Sequence, residues 1–279
     1  MNSGVRRTAL GLIVTAGLTV SACASTLTGP GPERAPGFLN AVSMSALAAS
    51  TPTPPAPRSP EQGRDDALSA ELRALEDTDR WWMATAHAEL RPPWAAQHFD
   101  CVLGTRLTGS PRPALNRLMA RLLADSQALT LEVSARSPRL RPIADADRRA
   151  CQRVDEATRT SRNSYPAGGA VTGSAYGELF AALAPDRAEA ARRMGAEIGL
   201  SRAICAVNWP SDVTAGQALG LALYHQAATD PDFATELEAA RAEVVVARTE
   251  GLTSPACASE RLALAQSEPY AGRGDASAP

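Results

Sequence analysis

The chain has 279 residues and an apolar fraction of 44%, which is enough to build the core of a folded domain. Its formal net charge is -2, and the absence of any long block of one sign argues against nucleic acid as a partner. The sequence contains no lysine, so every basic side chain is an arginine. Abundant alanine, leucine and arginine, with only 4% aromatic residues, predict an all-α protein.

The first 23 residues carry an export pattern. Arg6 and Arg7 precede an apolar run from Ala9 to Val20, which is too short to cross a bilayer and is typical of a secretory signal peptide. The run ends in Val-Ser-Ala-Cys, which resembles the lipobox of bacterial lipoproteins. We predict a lipoprotein signal peptide at 1–22, lipidation of Cys23, and a periplasmic protein held at the outer membrane. The alternative is ordinary cleavage beside a neighbouring small residue, which leaves Cys23 without a lipid.

The composition divides the remaining chain into three parts. Residues 23–60 are rich in proline, serine and alanine and predict an extended tether, whereas residues 266–279 predict a disordered tail. Between them, 61–265 predicts one helical domain. Apolar periodicity interrupted by proline, glycine and serine predicts helices near 62–77, 79–90, 113–133, 146–160, 170–184, 186–206, 211–228 and 232–248. The buried face of 113–133 is predicted to carry Leu115, Leu118, Met119, Leu122 and Leu123.

Four further cysteines form an even set in a chain predicted to reach an oxidising compartment: Cys101, Cys151, Cys205 and Cys257. Two disulfides are therefore expected. Of the three possible pairings we predict Cys101 with Cys151 and Cys205 with Cys257. The alternative is that some of these cysteines are buried free thiols.

Three short motifs recur at the spacing of a known family. They are Ser134 followed after six residues by Arg141-Pro142, the turn Pro-Ala-Gly-Gly at 166–169, and Ser201-Arg202 followed by Asn208 and Asp212. The segment resembles the bacterial class A nonspecific acid phosphatases, within the type 2 phosphatidic acid phosphatase and vanadium haloperoxidase superfamily. The resemblance covers roughly residues 38 to 265 and implies a single helical bundle domain of that type.

The resemblance implies a metal-free phosphoester hydrolysis without a cofactor. In the family, a histidine at the position of Asn208 attacks phosphorus, and the aspartate at the position of Asp212 orients it. A histidine at the position of Gly169 protonates the leaving group. A lysine at the position of Ser134 and two arginines neutralise the phosphoryl oxygens.

This chain departs from that pattern at the three positions that carry the chemistry. Ser134 stands in the lysine position, Gly169 in the acid position and Asn208 in the nucleophile position. A glycine has no proton to donate, and a carboxamide nitrogen does not attack phosphorus as an imidazole nitrogen does. No other lysine exists to substitute, although Arg136 or Arg139 could direct a guanidinium toward the site.

An anion site is nevertheless predicted from the residues that remain. Arg141 and Arg202 match the family arginines, and the turn of Ala167, Gly168 and Gly169 leads into a predicted helix whose free N–H groups favour an anion. Read without the family, Arg202 is an ordinary structural ion-pair partner and the turn merely starts a helix.

The three histidines, His87, His98 and His225, occupy no signature position, so none is predicted to replace the nucleophile. Their spacing relative to the cysteines predicts no metal site.

These features lead to three functional hypotheses. The preferred one is an exported acid phosphatase-family lipoprotein that is catalytically impaired and binds phosphate or a phosphorylated small molecule, with the membrane contacted through its lipid anchor. The second is an active acid phosphatase with a different nucleophile. The third is a structural envelope lipoprotein, which predicts that Arg141 and Arg202 are paired with carboxylates.

Overall fold

A computed structural model of the chain describes Met1, residues 36–145 and residues 147–270. The chain divides into two units, Met1–Glu33 and Arg34–Pro279, and the second unit contains the helical domain. The predicted signal peptide and Cys23 lie outside the described residues. No helix in the described part of the chain is long and apolar enough to cross a membrane.

The prediction of an all-α protein is confirmed. The described residues form helices and contain no strand beyond one isolated bridge between Arg139 and Asn163. The α-helices in chain order are α1 Ala41–Ser50, α2 Pro60–Glu71, α3 Asp79–Ala86, α4 Asp100–Leu103, α5 Pro113–Arg136, α6 Glu156–Thr160, α7 Gly168–Leu183, α8 Ala188–Ile204, α9 Pro210–Ala227, α10 Pro231–Thr249 and α11 Cys257–Ser267.

Several helices begin where local chemistry favours a start. Thr78 caps α3 by accepting a hydrogen bond from the Trp81 N–H, and Asp230 caps α10. Pro210 occupies the first position of α9, where its missing N–H costs no hydrogen bond. These starts lie within two residues of the predicted ones for both α9 and α10.

The apolar face of α5 lies in the main core, as its periodicity predicted. Leu115, Leu118, Met119 and Leu122 are fully buried there. They pack in one cluster with the aromatic side chain of Tyr176 from α7. The predicted buried face is confirmed.

The helix α7 lies against both α8 and α9 at very short distances. A Cβ added to Gly195 of α8 would lie 2.4 Å from the Gly173 carbonyl oxygen of α7. A Cβ added to Gly220 of α9 would lie 2.2 Å from the Val171 carbonyl oxygen. Only glycine permits such backbone contact, so these residues fix the three helices relative to one another.

The predicted helix at 146–160 is wrong over most of its length, since only Glu156–Thr160 is helical and Ala146 lies outside the described residues. The preceding segment is held as a loop by contacts with a distant part of the chain. Arg148 donates to the Ser69 carbonyl at 2.8 Å, and Arg149 pairs with Asp77 at 2.7 Å. Tertiary contacts here override helix propensity.

The predicted extended tether at 23–60 is also wrong in its second half. Ala41–Ser50 is a helix, and Phe38 and Ala48 are buried in the main core. The Phe38 N–H donates to Asp125 at 2.7 Å, and the guanidinium of Arg121 lies 3.7 Å from the Phe38 ring centroid. The segment is therefore part of the domain from residue 36 onward.

At the other end of the chain, the predicted tail starts too early. Helix α11 continues to Ser267, and a short 3-10 turn follows at Glu268–Tyr270. The rest of the tail lies outside the described residues.

The predicted disulfide pairing is wrong. Cys101 bonds to Cys257 and Cys151 bonds to Cys205. The first bond joins α4 to the start of α11. The second joins the loop before α6 to the end of α8, beside the core residues Trp81 and Ile143. The pairing follows the packing of helices distant in sequence, which spacing alone does not reveal.

Candidate functional site

Three helix ends meet at the predicted site. Helix α7 begins at Gly168, α8 ends at Ile204 and α9 begins at Pro210. The Ala167 N–H donates to the Asp212 carbonyl at 3.0 Å, which ties the start of α7 to the first turn of α9. The residues of the second and third signatures are thereby brought together.

Asp212 is fully buried, and described side-chain and backbone donors engage both of its carboxylate oxygens. Oδ1 accepts from Arg139 at 2.5 Å, and Oδ2 accepts from the Ser164 hydroxyl at 2.5 Å and the Trp209 N–H at 2.9 Å. Burial raises the pKa of the Asp212 carboxyl, and the Arg139 guanidinium offsets part of that rise. The Asp212 carboxylate therefore stabilises the first turn of α9 through these hydrogen bonds.

Arg139 links Asp212 to a second buried carboxylate. Its Nη2 donates to Asp65 Oδ2 at 2.6 Å, and its Nη1 also donates to the Ser211 hydroxyl at 2.8 Å. Arg139 is 7% exposed and Asp65 is 4% exposed, so the pair lies in a water-poor environment. We call Arg139, Asp65 and Asp212 the buried charge cluster.

Asn208 is buried and makes one strong contact. Its Nδ2 donates to the Ser164 carbonyl at 2.5 Å. The carboxamide is thus fixed by its amino group beside the buried charge cluster. An amide held in this way is a hydrogen-bonding group and not a nucleophile.

Ser134 is likewise turned inward. Its hydroxyl donates to the Tyr165 carbonyl at 2.8 Å, and the residue is 7% exposed. It supports the turn before α7 and supplies no positive charge.

Among the described residues, Arg141 contacts only neutral acceptors. It donates to the Val207 carbonyl at 2.6 Å, to the Ser161 hydroxyl at 2.9 Å and to the Asn163 carbonyl at 3.1 Å. Burial lowers the pKa of Arg141, and the charge of Asp212 opposes that effect. No carboxylate of the described residues forms an ion pair with Arg141, so its positive charge is not neutralised by direct contact.

Arg202, in the last turn of α8, has no hydrogen bond or ion pair from its side chain within the described part of the chain. Burial and the nearby charge of Arg141 lower the pKa of Arg202 to about 10, so the guanidinium is still charged at neutral pH. The side chain covers Gly169, where an added Cβ would lie 2.6 Å from Arg202 Cδ. Two mutually repelling guanidinium groups that form no ion pair with a described carboxylate favour a nearby anion.

The start of α7 adds hydrogen-bond donors to the same place. No side chain caps this helix, because Ala167 stands at the capping position. The Ala170 N–H donates to the Ala167 carbonyl at 2.8 Å, whereas the N–H groups of Gly168 and Gly169 donate to no described acceptor and remain available to an anion. Ala167 itself is fully buried and contributes only its backbone.

A cleft of about 530 Å³ opens beside this helix start. Gly168 and Gly169 form one side, and Thr130 and Leu131 of α5 lie among the other lining residues. The lining includes neither Arg141 nor Arg202, so the cleft reaches the start of α7 without being formed by the two guanidinium groups.

Comparison with known proteins decides the family. The chain is 31% identical over 200 residues to an acid phosphatase of Zymomonas mobilis, which covers 72% of this chain and 76% of that protein. The chain belongs to the acid phosphatase family. It is also 27% identical over 193 residues to a non-specific acid phosphatase of Providencia stuartii, covering 67% and 78% of the two chains. A non-specific acid phosphatase of Salmonella typhimurium is 28% identical over 194 residues, covering 69% and 78%. No protein-family model matches the chain.

The histidines of this acid phosphatase-family chain occupy none of the positions of the predicted anion site. His87 is buried, and its Nδ1 lies 2.8 Å from the Ser201 hydroxyl, next to Arg202 in sequence. His98 stacks edge-on against His87 with ring centroids 5.0 Å apart. His225 is exposed on α9. Burial lowers the pKa of both His87 and His98.

Two contacts of the site are missed by sequence reasoning. Arg139 is noted only as a possible substitute cation, whereas its guanidinium neutralises Asp65 and Asp212. His87 supports Ser201 from a different helix. A residue separation of 74 between Arg139 and Asp65 leaves no local signal for the first contact. The described residues include no group of three His, Cys, Asp or Glu side chains that could hold a metal ion.

Proposed function

We propose that this acid phosphatase-family chain is an exported lipoprotein that binds phosphate or a phosphorylated small molecule without hydrolysing it by the family route. The observation that carries the proposal is Asn208 in the nucleophile position. Its Nδ2 is bound to the Ser164 carbonyl, and its carboxamide has no free electron pair on nitrogen. A covalent phosphoenzyme therefore has no atom on which to form at this position.

The positions of the acid and the lysine support the same conclusion. Gly169 carries no proton donor, and Arg202 covers the space into which a side chain at 169 would extend. Ser134 is hydrogen-bonded inward to Tyr165. Nucleophile and general acid each typically contribute several orders of magnitude to the rate, so loss of both opposes turnover.

Binding is supported by the charges that remain. Among the described residues, Arg202 is unpaired and Arg141 contacts only neutral acceptors. The uncapped start of α7 adds the N–H groups of Gly168 and Gly169, and Gly169 lies against the Arg202 side chain. A phosphate at this point gains charge-assisted hydrogen bonds from groups that otherwise repel each other. A purely structural lipoprotein would instead have these arginines paired with carboxylates, and neither is so paired among the described residues.

The decisive experiment measures binding and turnover together on the purified full chain. We expect inorganic phosphate and vanadate to bind in calorimetric titrations, with no release of p-nitrophenol from p-nitrophenyl phosphate at mildly acid pH. Arg202→Ala should weaken phosphate binding about tenfold or more, because it removes a charged donor. Arg193→Ala is the matched control, since Arg193 is exposed on the same helix and pairs only with Glu189.

Each outcome separates the hypotheses. Turnover that Arg202→Ala abolishes would overturn the proposal in favour of an active acid phosphatase, which the 31% identity to the Zymomonas mobilis acid phosphatase favours. Neither binding nor turnover would favour a structural lipoprotein.

Export and lipidation are proposed from the N-terminal pattern and are supported by the disulfides. Two disulfides in one domain are typical of proteins that mature in an oxidising compartment. In a Gram-negative host, the wild-type chain should incorporate radiolabelled palmitate. The labelled protein should sediment with the outer membranes. Cys23→Ser should abolish the label, whereas Ser21→Thr, a conservative change within the same motif, should retain it. Labelling that persists in Cys23→Ser would contradict the proposed anchor.

A further inference from the structure

A second cavity of about 530 Å³ lies away from the anion site. It is bounded by α3, by α4 and by the start of α11, next to the Cys101–Cys257 disulfide. Its lining includes Trp82, Met83, His98, Asp100 and Glu260, and it includes none of the signature residues. We call this space the acidic cavity.

Two carboxylates of the acidic cavity influence each other. Asp100 is 4% exposed, and its Oδ1 accepts from the Leu107 N–H at 2.9 Å, while no described group donates to its Oδ2. Burial raises the pKa of Asp100 to about 6. Burial and the charge of Asp100 raise the pKa of Glu260 to about 7.

No described cation neutralises this pair by contact. Arg106 lines the cavity and its charge reaches Asp100, yet it forms no ion pair with either carboxylate. Asp79 adds a third carboxylate to the lining. Asp100 is buried and Glu260 is half-buried, and neither forms an ion pair with a described cation, which is unfavourable for a charged carboxylate out of water.

The buried ring of His98, which lines the cavity, supplies a further hydrogen-bond acceptor. Its Nε2 lies 2.9 Å from the Glu89 carbonyl, which only accepts, so Nε2 carries the hydrogen. Burial lowers the pKa of His98 and keeps the ring neutral. Its Nδ1 is therefore a bare acceptor, and no described group donates to it although the residue is only 5% exposed.

The ring of His87 likewise has one nitrogen that carries a hydrogen and one that accepts hydrogen bonds. The Ser201 hydroxyl donates to the Glu197 carbonyl at 2.8 Å and accepts from Arg80, so the hydrogen between Ser201 and His87 Nδ1 belongs to the ring. Its Nε2 is consequently an acceptor as well. The residues that line the cavity thus include carboxylates and two imidazole rings, each of which has one nitrogen that accepts hydrogen bonds.

The remaining wall suits a cation with an organic body. Trp82 is 56% exposed, and Met83 and Ala263 add apolar surface. An aromatic face attracts a cation, and the volume accommodates a small organic molecule. The described side chains here include no group of three that could hold a metal ion.

We propose that the acidic cavity binds a small organic cation with a primary ammonium group, held by Asp100 and Glu260 and covered by the Trp82 indole. The ammonium supplies the hydrogen-bond donors that the His98 ring and the two carboxylates lack. This site does not depend on the proposed phosphate site.

The test is calorimetric titration of the full chain with 1,4-diaminobutane. We expect saturable binding of one molecule per chain, and no binding of 1,4-butanediol, which has the same length without the charge. Glu260→Gln should weaken binding about tenfold by removing one charged acceptor. Trp82→Ala should weaken it about threefold, and because Trp82 is exposed this variant is expected to fold.

Glu268→Gln is the matched control, because Glu268 is an exposed carboxylate that follows α11 and does not line the cavity. It should bind the diamine like the wild type. Arg202→Ala should also retain diamine binding, so the two proposals can fail separately. The proposal would be overturned if the wild-type chain showed no saturable binding of the diamine. It would also be overturned if Glu260→Gln and Trp82→Ala both bound the diamine with the affinity of the wild type.

Discussion

A variant that combines Asn208→His, Gly169→His and Ser134→Lys should hydrolyse p-nitrophenyl phosphate at least about a thousandfold faster than the wild-type chain. The imidazole at 208 can donate its Nδ1 hydrogen to the Ser164 carbonyl, as the Asn208 amide does now. That bond would leave Nε2 unprotonated and available for attack. The position of Asp212 would not need to change.

The single variants divide this effect between the two histidine positions. Asn208→His alone should form a covalent phosphoenzyme with p-nitrophenyl phosphate, whose leaving group needs no acid. It should fail with an alkyl phosphate such as glycerol phosphate, whose alkoxide needs a proton. Activity with glycerol phosphate should require Gly169→His as well, and Arg202 must move to admit that ring.

Adding Arg202→Ala to the triple variant is the control, because hydrolysis by the family route needs that guanidinium. Substantial hydrolysis by the wild-type chain, with the phosphoryl group trapped on another residue such as His87, would refute our assignment of position 208.

Replacing Arg139 by alanine should lower the free energy of unfolding by about 3–5 kcal/mol. The change leaves Asp65 and Asp212 buried without their shared cation. Isothermal urea denaturation of the full chain measures the loss. Arg136→Ala is the matched control, since Arg136 is exposed on α5 and its ion pair with Glu132 is 3.9 Å long, and it should change stability by less than about 0.5 kcal/mol.

The stability of the Arg139→Ala variant should also depend on pH in a defined direction. Loss of Arg139 removes the charge that now offsets the rise in the Asp212 pKa caused by burial, so the folded-state pKa rises further. The folded state of the variant then binds more protons than the unfolded chain above the ordinary aspartate range, and its stability must increase as the pH falls. A loss below about 1 kcal/mol at neutral pH would show that the buried charge cluster does not hold α2 against α9.

The sequence predicts the elements whose information is local. The apolar face of α5 and the starts of α9 and α10 follow from periodicity and from proline and aspartate at helix starts. Helix α1 is missed because a proline-rich composition around it suggests coil, while contacts from Asp125 to Phe38 fix the segment in the fold.

Contacts between distant residues are beyond the same reasoning. The motif spacing, through the family resemblance, predicts that Arg141, Arg202 and Asp212 lie at one site. It does not predict the ion pair between Arg139 and Asp65, and it does not predict the disulfide pairing. The acidic cavity is also invisible in sequence, because α3, α4 and α11 have no motif in common.

The contacts of Gly195 and Gly220 with the backbone of α7 explain why the fold tolerates substitutions at the site. These contacts align α7, α8 and α9 by main chain against main chain, while Ser134 and Asn208 each add one described side-chain hydrogen bond at the helix ends. Drift at positions 134, 169 and 208 could thus alter the chemistry in successive steps while the scaffold kept its shape.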